Sequence, residues 1–315
     1  MFRKIIEAIE EASILTIYPH VSPDGDALGS CFGLKELLKA KYPSKEIYVL
    51  GKHSKTEGEY FPCFDDVNDE TIKNSLALSL DTANFDRVDD ERIKLAKKVI
   101  KIDHHPDREP FGDISYVDDT MSSCSEIITL IGKELYGNEK FPYEAARFLY
   151  SGLFTDTMGF STSNANAHSL EIGAFLVSHG LNMNDISYQL TAKNSIIYNY
   201  ITKVRSVAVI EDKFLYAVVK KDVYRDAGIT YEEAKSCVAE FVKVKGLKIW
   251  SAFVENDDPN ADYKYQGSLR SRDVICNDIA YNHNGGGHLV AAGCKIKDDD
   301  DLEIILKELK ERANG

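Results

Sequence analysis

Short apolar runs alternate with amphipathic stretches along the first half of the chain. Four of these runs are rich in Ile, Leu and Val, and they lie at 14–17, 47–50, 76–80 and 98–102. Runs of this length predict buried strands. Apolar residues at helical spacing predict helices at 31–41, 123–136 and 142–154. Strands that alternate with helices in this way are typical of an α/β fold built around a parallel sheet.

The second half of the chain carries a smaller set of the same signals. Two short apolar segments flank Glu211-Asp212-Lys213 and predict a hairpin. The other elements expected here are strands at 248–254 and 265–269 and helices at 231–242, 274–281 and beyond the acidic run 297–301. The polar helical stretch 185–205 is expected to connect the two halves. We therefore predict a first domain over 1–186, a helical linker over 187–204 and a smaller α/β domain over 205–315.

Composition limits what the protein binds. The chain has 38 Lys and Arg against 51 Asp and Glu, a formal net charge of −13. Because proteins that grip long nucleic acids present a basic surface, this balance argues against a long DNA or RNA substrate and leaves a short anionic one open. No apolar run approaches the length of a bilayer span, and Met1–Glu11 predicts an amphipathic helix rather than a signal peptide. We therefore expect a cytoplasmic protein that does not bind membranes. The six cysteines are scattered along the chain, which favours reduced thiols over disulfides.

Acidic and imidazole side chains follow the predicted strands at the points where they end. His20, Asp24 and Asp26 come soon after the first strand, and Asp81 and Asp103 end two others. Because the carboxyl ends of parallel strands share one edge of the sheet, we expect these side chains to converge. Carboxylates so close together repel one another unless a divalent cation lies between them. The sequence therefore suggests a metal site at this edge.

Two further motifs add to this candidate site. Asp103-His104-His105 could offer one imidazole to a metal, the other to substrate, and a carboxylate that orients the ligating ring, although a plain polar turn stays open. Asp156 leaves the end of a buried helix and is a fourth separated carboxylate. Gly29 and Ser30 stand at the predicted start of the helix 31–41, whose positive end would favour phosphate.

The second half contains two candidate anion-binding motifs. In Ser268-Leu269-Arg270-Ser271-Arg272, the two arginines are placed on one side of an extended segment, where both could grip one phosphate. In Asn284-Gly285-Gly286-Gly287-His288, the glycines let backbone N–H groups approach a ligand. A surface ion pair and a flexible turn are the structural alternatives.

Taken together, these motifs resemble the DHH phosphoesterase superfamily over nearly the whole chain. The resemblance is carried by His20…Asp24-Gly25-Asp26-Ala27…Gly29-Ser30, Asp81-Thr82, Asp103-His104-His105, Thr155-Asp156-Thr157, Ser268-Leu269-Arg270-Ser271-Arg272 and Asn284-Gly285-Gly286-Gly287-His288. The last two motifs are similar to the DHH-associated C-terminal domain. Within the superfamily the chain is most similar to the NrnA-type group, which degrades very short RNA and removes the 3′-phosphate of phosphoadenosine phosphate.

The resemblance implies a two-metal hydrolase whose active site lies in the cleft between the two domains. It implies one cation bound by His20, Asp24 and Asp81 and a second bound by Asp26, Asp81, His104 and Asp156. Nitrogen and oxygen ligands without thiolate favour Mn²⁺, with Mg²⁺ or Co²⁺ as alternatives. Two such ions activate water and polarise the scissile phosphate. His105 would then stabilise the growing charge beside Asp103, and the implied substrate-binding residues are Arg270, Ser271, Arg272, Gly285, Gly286, Gly287 and His288.

Several alternatives stay open at this point. A cyclic di-AMP phosphodiesterase and a family II inorganic pyrophosphatase share the metal motifs, although the pyrophosphatase is expected to carry a lysine-rich anion site. A nucleotide sensor would keep the fold but should have lost a metal ligand. The chain departs from the family pattern at Met158, which stands before Gly159, and in having three glycines after Asn284. Both departures concern substrate shape, and homodimer formation is also left open.

Overall fold

A five-stranded parallel sheet organises the first half of the chain in the computed structural model, which describes residues 2–52, 59–107 and 109–315. Its strands are β1 (Ile14–Tyr18), β2 (Glu46–Val49), β3 (Leu76–Leu80), β4 (Lys98–Asp103) and β5 (Ile114–Val117), in the order β2-β1-β3-β4-β5. This is a doubly wound arrangement, and its direction reverses between β1 and β3. The predicted parallel sheet is confirmed.

Seven helices accompany this sheet within the described residues. They are α1 (Arg3–Glu11), α2 (Gly25–Lys41), α3 (Asp69–Lys73), α4 (Cys124–Tyr136), α5 (Tyr143–Asp156), α6 (Ala167–Val177) and α7 (Met183–Thr191), with short 3₁₀ helices at Phe85–Arg87 and Glu91–Leu95. The main core joins one face of the sheet to α1, α2, α4 and α5, and a smaller core lies on the other face under α3 and the 3₁₀ helices. Most of the first half of α2 is buried, so it is the central helix of this unit.

Helix α2 and strand β5 are among the elements of this unit that differ from the prediction. Helix α2 begins at Gly25 and not near residue 31, because Asp24 caps it: its carboxylate accepts from the N–H groups of Asp26 and Ala27 at 3.0 and 3.1 Å. Strand β5 was not predicted, because its four residues are only partly buried at the sheet edge and carry a weak apolar signal. The acidic loop that follows β1 is therefore the first turn of a buried helix.

The second unit is built on a six-stranded mixed sheet. Its elements are α8 (Ser195–Ser206), β6 (Ala208–Glu211), β7 (Phe214–Val219), α9 (Lys221–Arg225), α10 (Tyr231–Ala234), a 3₁₀ helix (Lys235–Phe241), β8 (Ile249–Glu255), β9 (Tyr265–Ser271), α11 (Asn277–Asn282), β10 (Gly286–His288), β11 (Ala291–Ile296) and α12 (Asp299–Asn314). The strand order is β10-β11-β9-β8-β7-β6, and the β7–β8 pair is parallel whereas the others are antiparallel. Separate cores lie on the two faces. The predicted hairpin is confirmed as β6 and β7.

The expected connecting helix is two helices. Helix α7 ends at Thr191 and α8 begins at Ser195, where the Asn194 side chain accepts from the Ile197 N–H at 2.9 Å. The chain divides into two compact units between Ala192 and Lys193, and α8 contributes to the core of the second unit. The predicted linker over 187–204 and the predicted cleft stay predictions. None of the described helices is long and apolar enough to cross a membrane.

Candidate active site

Three neighbouring strands deliver the predicted side chains to one edge of the first sheet. β1 pairs with β3 and β3 with β4, all parallel, so their carboxyl ends lie side by side. His20 follows β1, Asp81 directly follows β3 and Asp103 ends β4. The reversal of strand order between β1 and β3 opens a crevice at this edge, which is where ligands bind in such sheets.

His20, Asp24 and Asp81 form the first ligand group. The Nε2 atom of His20 lies 3.8 Å from Asp24 Oδ2 and 3.6 Å from Asp81 Oδ2. The other ring nitrogen, Nδ1, lies 3.0 Å from the Val21 carbonyl oxygen, to which it donates in the tautomer that leaves Nε2 free. These three side chains bring one ligand atom each within 4.8 Å of one another, a placement suited to a metal ion.

Asp26, His104 and Asp156 form the second ligand group. The Nε2 atom of His104 lies 3.9 Å from Asp26 Oδ2 and 3.7 Å from Asp156 Oδ2. Its Nδ1 lies 3.3 Å from the Met121 carbonyl oxygen, so this imidazole, like that of His20, is oriented by the main chain with Nε2 facing the carboxylates. This group also meets the spacing that a metal ion requires.

Asp81 links the two ligand groups. Its Oδ2 faces His20, whereas its Oδ1 lies 3.4 Å from His104 Nε2 and 3.5 Å from His105 Nδ1. The side chain is buried, and Oδ1 has no hydrogen-bond partner among the described residues. A buried carboxylate oxygen without a partner is costly, and a cation would supply the missing contact. The imidazole and carboxylate groups at this edge are therefore placed to bind metal.

The amino end of α4 holds the Asp26 carboxylate. Oδ2 accepts from the Cys124 N–H at 2.6 Å and Oδ1 from the Ser125 N–H at 3.0 Å. Both donors are free at the first turn of a helix, where the helix dipole also favours a negative charge. This contact joins residues 98 positions apart, so no local sequence pattern predicts it; the same helix end is capped by Ser123, whose hydroxyl accepts from the Glu126 N–H at 3.1 Å.

Burial and mutual repulsion change the acidity of the site. Burial raises the pKa of Asp26 well above its ordinary value, and the charges of Asp81 and Asp156 act in the same direction. Burial likewise raises the pKa of Asp81, and that of Asp156 to about 6. For His20 and His104, burial lowers the pKa, but the surrounding carboxylates outweigh it and bring the pKa to about 9 and about 10. The carboxylates of Asp26, Asp81 and Asp156 thus attract protons, which divalent cations would replace.

Asp103 orients His105 and not the ligating ring of His104, contrary to the sequence prediction. Its Oδ1 accepts from His105 Nδ1 at 2.8 Å and from the main-chain N–H groups of His104 and His105 at 2.9 and 3.2 Å. The ring of His104 instead contacts the Met121 carbonyl. Because Asp103 precedes His105 by two residues in a tight turn, its carboxylate reaches that ring while His104 points to the other side. The side chain of His105 is 40% exposed, so it is accessible to a substrate.

Gly29 and Ser30 do not lie at a helix start. They are buried in the second turn of α2, where the Ser30 hydroxyl donates to the Ala27 carbonyl at 3.1 Å. A Cβ added at Gly29 would lie 2.6 Å from the Phe148 carbonyl oxygen and 2.8 Å from Gly152. The prediction that these residues favour phosphate is therefore wrong, and Gly29 is required for close packing of α2 on α5.

Arg270 lies on a partly open face of the second sheet. Along β9 it alternates with the buried residues Leu269 and Ser271, and its strand partners are Trp250 on β8 and Ala291 on β11. Its guanidinium donates to the Leu269 carbonyl at 2.8 Å, and burial lowers its pKa. The neighbouring positions of β11 and β10 on this face, Ala291, Gly293, Gly286 and His288, are small or exposed. We call this surface, defined by Ser268, Arg270, Gly286, His288, Ala291 and Gly293, the open face.

The remaining predicted anion-binding residues are placed in different ways. Arg272 is exposed, with its guanidinium 6.0 Å from the ring centre of Trp250, the strand partner of Arg270. The Ser271 side chain is instead buried, and its hydroxyl donates to the Val274 carbonyl at 2.6 Å. Strand alternation explains this, because Ser271 faces the opposite side of β9 from Arg270.

Close packing against β11 explains why Gly285 and Gly287 are glycines. A Cβ at Gly285 would lie 2.0 Å from the Gly293 carbonyl oxygen. Gly287 has φ +139°, and a Cβ there would lie 2.6 Å from the Ala291 carbonyl oxygen. Gly286 and Gly287 lie in the unpredicted strand β10, so this motif is part of the sheet and not only a turn.

Comparisons with known proteins agree with this architecture. Residues 14–153 match the DHH family, N-terminal domain, and residues 211–315 match the DHHA1 domain. The chain is 33% identical to "Bifunctional oligoribonuclease and PAP phosphatase NrnA" of Bacillus subtilis (strain 168), with 98% of both chains covered. It is 31% identical to "Probable bifunctional oligoribonuclease and PAP phosphatase NrnA" of Streptococcus mutans serotype c, again over 98% of both chains.

A solved structure shares the fold over the whole chain. The crystal structure of an exopolyphosphatase-related protein from Bacteroides fragilis superposes with a TM-score of 0.86 at 23% identity, covering 100% of this chain and 97% of that one. The chain therefore belongs to the DHH family of phosphoesterases, as a member in which a DHHA1 domain follows the DHH domain.

Proposed function

We propose that this protein is a two-metal phosphoesterase that hydrolyses short oligoribonucleotides, such as pApA, to mononucleotides and converts 3′-phosphoadenosine 5′-phosphate (pAp) to AMP. The observation that carries the proposal is Asp81, a buried carboxylate that faces both ligand groups and whose Oδ1 has no hydrogen-bond partner in the described part of the chain. None of the six expected ligand side chains is missing, which argues against a sensor that has lost turnover. The relatives named for both activities cover the whole chain and support the choice of substrates.

The two ligand groups would hold two Mn²⁺ ions. His20, Asp24 and Asp81 would bind one, and Asp26, His104 and Asp156 the other. Asp81 would also serve the second ion, because its Oδ1 lies 3.4 Å from His104 Nε2. Imidazole with carboxylate, and no thiolate, suits Mn²⁺ better than a structural zinc ion. A pair of such ions supplies an activated water and polarises the phosphate. The four carboxylates balance the charge of two divalent ions, so the site can accept an anionic substrate.

His105 and Asp103 would act on the substrate phosphate. Asp103 accepts from Nδ1–H of His105 and fixes the ring. In the imidazolium form of the ring, Nε2–H would donate to a phosphate oxygen as negative charge develops there. The exposure of His105 agrees with this role, whereas Asp103 is fully buried and acts only through the histidine. Asp103 is then a positioning residue for the catalytic imidazole.

The open face would bind the part of the substrate that does not react. Arg270 can donate to a terminal phosphate or to a nucleobase, and His288 stands on the neighbouring strand pair. Glycine, serine and alanine at the other positions leave room for a flat base or a ribose. Arg272 lies beside the same face, because its guanidinium is near the ring of Trp250, the strand partner of Arg270. The Ser271 side chain faces the opposite side of β9. The net charge of −13 disfavours long polyanions and so favours a substrate with few phosphates.

A substrate panel tests this proposal. The purified protein is incubated with Mn²⁺ and, in separate reactions, with pApA, pAp, cyclic di-AMP, pyrophosphate and a long RNA, and the products are identified by chromatography. We expect AMP from pApA and pAp and little product from the long RNA. Hydrolysis of pyrophosphate alone, preferential hydrolysis of cyclic di-AMP, or binding of pApA without turnover at full metal occupancy would each contradict it. Asp81→Asn serves as the inactive control.

A further inference from the structure

A buried lysine lies directly behind the active site. Lys101 belongs to β4, two residues before Asp103, and its side chain is fully buried. Its neighbours in the strand are Val99, Ile100 and Ile102, so an apolar residue would be expected at this buried position as well. Lysine is almost never fully buried without partners, because an ammonium ion loses its hydration there.

The Lys101 ammonium is surrounded by oxygens from two of the strand ends. It donates to the Ala83 carbonyl at 2.9 Å and to Asp107 Oδ1 at 2.9 Å, and it lies 3.7 Å from Asp103 Oδ2. The Phe111 ring, with its centre 4.9 Å away, covers it. Ala83 lies two residues after Asp81, and Asp107 lies two residues after His105. One cation thus ties together the segments that follow β3 and β4.

The contact with Asp103 has a particular electrostatic role. Asp103 Oδ1 is used by His105 and by two main-chain N–H groups, whereas Oδ2 is buried and has no hydrogen-bond partner among the described residues. Lys101 is the cation that faces this second oxygen. A buried carboxylate oxygen is costly without a neighbouring positive charge, and without one the side chain would turn toward another partner. The hydrogen bond by which Asp103 orients the His105 ring would then be lost.

We propose that Lys101 is a positioning residue of the active site. It fixes the carboxylate of Asp103, which in turn holds the imidazole of His105, and it anchors the turn that carries Asp81 through the Ala83 carbonyl. Lys101 touches neither the ligand groups nor the substrate. The proposal builds on the phosphoesterase function, because it assigns Lys101 to the geometry of that reaction.

Lys101→Met tests the proposal, since methionine has a similar length and no charge. In kinetics with pAp and Mn²⁺, we expect kcat to fall about 10- to 100-fold, the usual effect of losing a group that orients an active-site side chain, while KM changes less than about threefold. Lys98→Met is the matched control: it makes the same change in the same strand at the amino edge of the sheet, and it should leave kcat unchanged. A folded Lys101→Met protein with normal kcat would overturn the proposal.

A double-mutant cycle separates positioning from a general loss of structure. If Lys101 acts through Asp103, then adding Lys101→Met to Asp103→Asn should lower kcat little further, because the carboxylate that it holds has already gone. If instead the two substitutions lower kcat by factors that multiply in the double variant, Lys101 acts through a group other than Asp103. Lys101→Gln, which keeps a donor but removes the charge, replaces Lys101→Met in the cycle if the methionine variant does not fold, and the same loss of kcat is expected.

Histidine NMR distinguishes failure of this proposal from failure of the proposed function. In protein labelled with ¹⁵N-histidine, the His105 signals are assigned by their absence in His105→Gln. We expect a hydrogen-bonded Nδ1–H in the wild type and its loss in Lys101→Met, whether or not any substrate is turned over. An unchanged His105 signal in Lys101→Met would contradict the positioning role even if the enzyme hydrolyses pAp.

Discussion

Asp81 adopts a backbone conformation that side chains usually avoid. Its φ is +54°, in the left-handed region, directly after the last residue of β3. This conformation costs of order 1–3 kcal/mol for a residue with a side chain and persists mainly at functional sites. The turn aims the carboxylate at His20 on one side and at His104 and His105 on the other. The strained backbone is thus what allows one residue to serve both ligand groups.

Replacing Asp81 by asparagine should remove both activities. Asn has the same shape but no charge, so the two ligand groups lose their shared anionic oxygen. Since metal ions contribute several kcal/mol to such reactions, a loss of about 4 kcal/mol, or roughly 10³-fold in kcat/KM, is expected. Isothermal titration with Mn²⁺ should also show weaker binding. Asp86→Asn, the same change at an exposed position five residues on, should behave as wild type, and near-normal turnover by Asp81→Asn would refute the two-metal assignment.

Arg270→Ala should act mainly on substrate binding. A hydrogen bond from a charged group is worth about 1.5–3 kcal/mol, so KM for pApA should rise roughly 10- to 100-fold while kcat falls much less. Steady-state kinetics measure this difference. Arg225→Ala, which removes an exposed arginine paired with Asp257 at 3.4 Å in the same unit, is the control and should leave KM unchanged. An unaltered KM in Arg270→Ala would show that the open face does not bind the substrate.

The convergence of His20, Asp81 and His104 could be predicted from the sequence because each follows a strand with a clear apolar pattern. What the sequence did not reveal were the partners from elsewhere in the chain. The amino end of α4 holds Asp26 across nearly a hundred residues, and the Met121 carbonyl orients His104. The side of β9 that the Ser271 side chain faces was also not predicted, because the strand was predicted to end at Leu269, two residues before its actual end at Ser271.

At the level of elements, the contact between α2 and α5 places ligands from distant parts of the chain together. Gly25, Gly29 and Gly33 recur every four residues along one face of α2. A Cβ at Gly25 would lie 2.4 Å from Thr155 Oγ1, and one at Gly33 would lie 2.6 Å from Leu149 Cγ. Thr155 directly precedes Asp156, so the glycine face brings the end of α5, and with it Asp156, against the start of α2, where Asp24 and Asp26 lie.

Gly29→Ala should therefore weaken both packing and metal binding. The new methyl group would clash with backbone atoms of α5, which cannot move aside as a side chain can, so we expect a destabilisation of about 1–3 kcal/mol. Separation of α2 from α5 should also lower Mn²⁺ affinity, because Asp26 and Asp156 move apart. Denaturant unfolding and Mn²⁺ titration measure the two effects.

Gly180→Ala is the matched control for this substitution. Gly180 has φ +91° and open space around it, so alanine there should destabilise the fold through backbone strain alone. Its Mn²⁺ affinity should stay that of the wild type. Equal loss of affinity in the two variants would mean that general destabilisation, and not the α2–α5 contact, controls the metal site.

Sequence patterns located elements with strong periodicity and missed those defined by partners. β1, β3 and β4 are continuous apolar runs, and all were predicted. β5, β10 and β11 were not. β5 is a partly exposed edge strand, β10 consists of two glycines and a histidine that pair with β11, and β11 begins with two alanines and a glycine, which give a weak strand signal. Gly29 was assigned to phosphate because the helix was predicted to begin near residue 31 and not at Gly25, its actual start. Only the position of α5 reveals why this glycine is tolerated.

For the whole molecule, acidity and domain structure have to be considered together. The net charge of −13 includes the aspartates of the two ligand groups, which bound cations would neutralise. The remaining charge still disfavours long polyanions and agrees with a small substrate. Each unit has its own hydrophobic core, so each has its own source of stability. Ligands of one unit are therefore expected to stabilise that unit first.

Manganese should raise the melting temperature of the first unit and leave that of the second nearly unchanged. At about 100 times its dissociation constant, a ligand stabilises its site by about 2.7 kcal/mol, which for a unit of this size corresponds to roughly 5–10 °C. Trp250, the single tryptophan, lies in the second unit, so its fluorescence follows that unit, whereas far-ultraviolet circular dichroism follows both.

The two probes make this prediction specific. With Mn²⁺ we expect a shift of the transition seen by circular dichroism, little change in the tryptophan transition, and reversal of the shift by EDTA. Asp81→Asn should show no shift at the same Mn²⁺ concentration, because the shared ligand has lost its charge. An equal Mn²⁺ shift in the tryptophan transition would mean that the second unit also binds the ions or unfolds together with the first, and the ligand set taken from the first unit alone would then be incomplete.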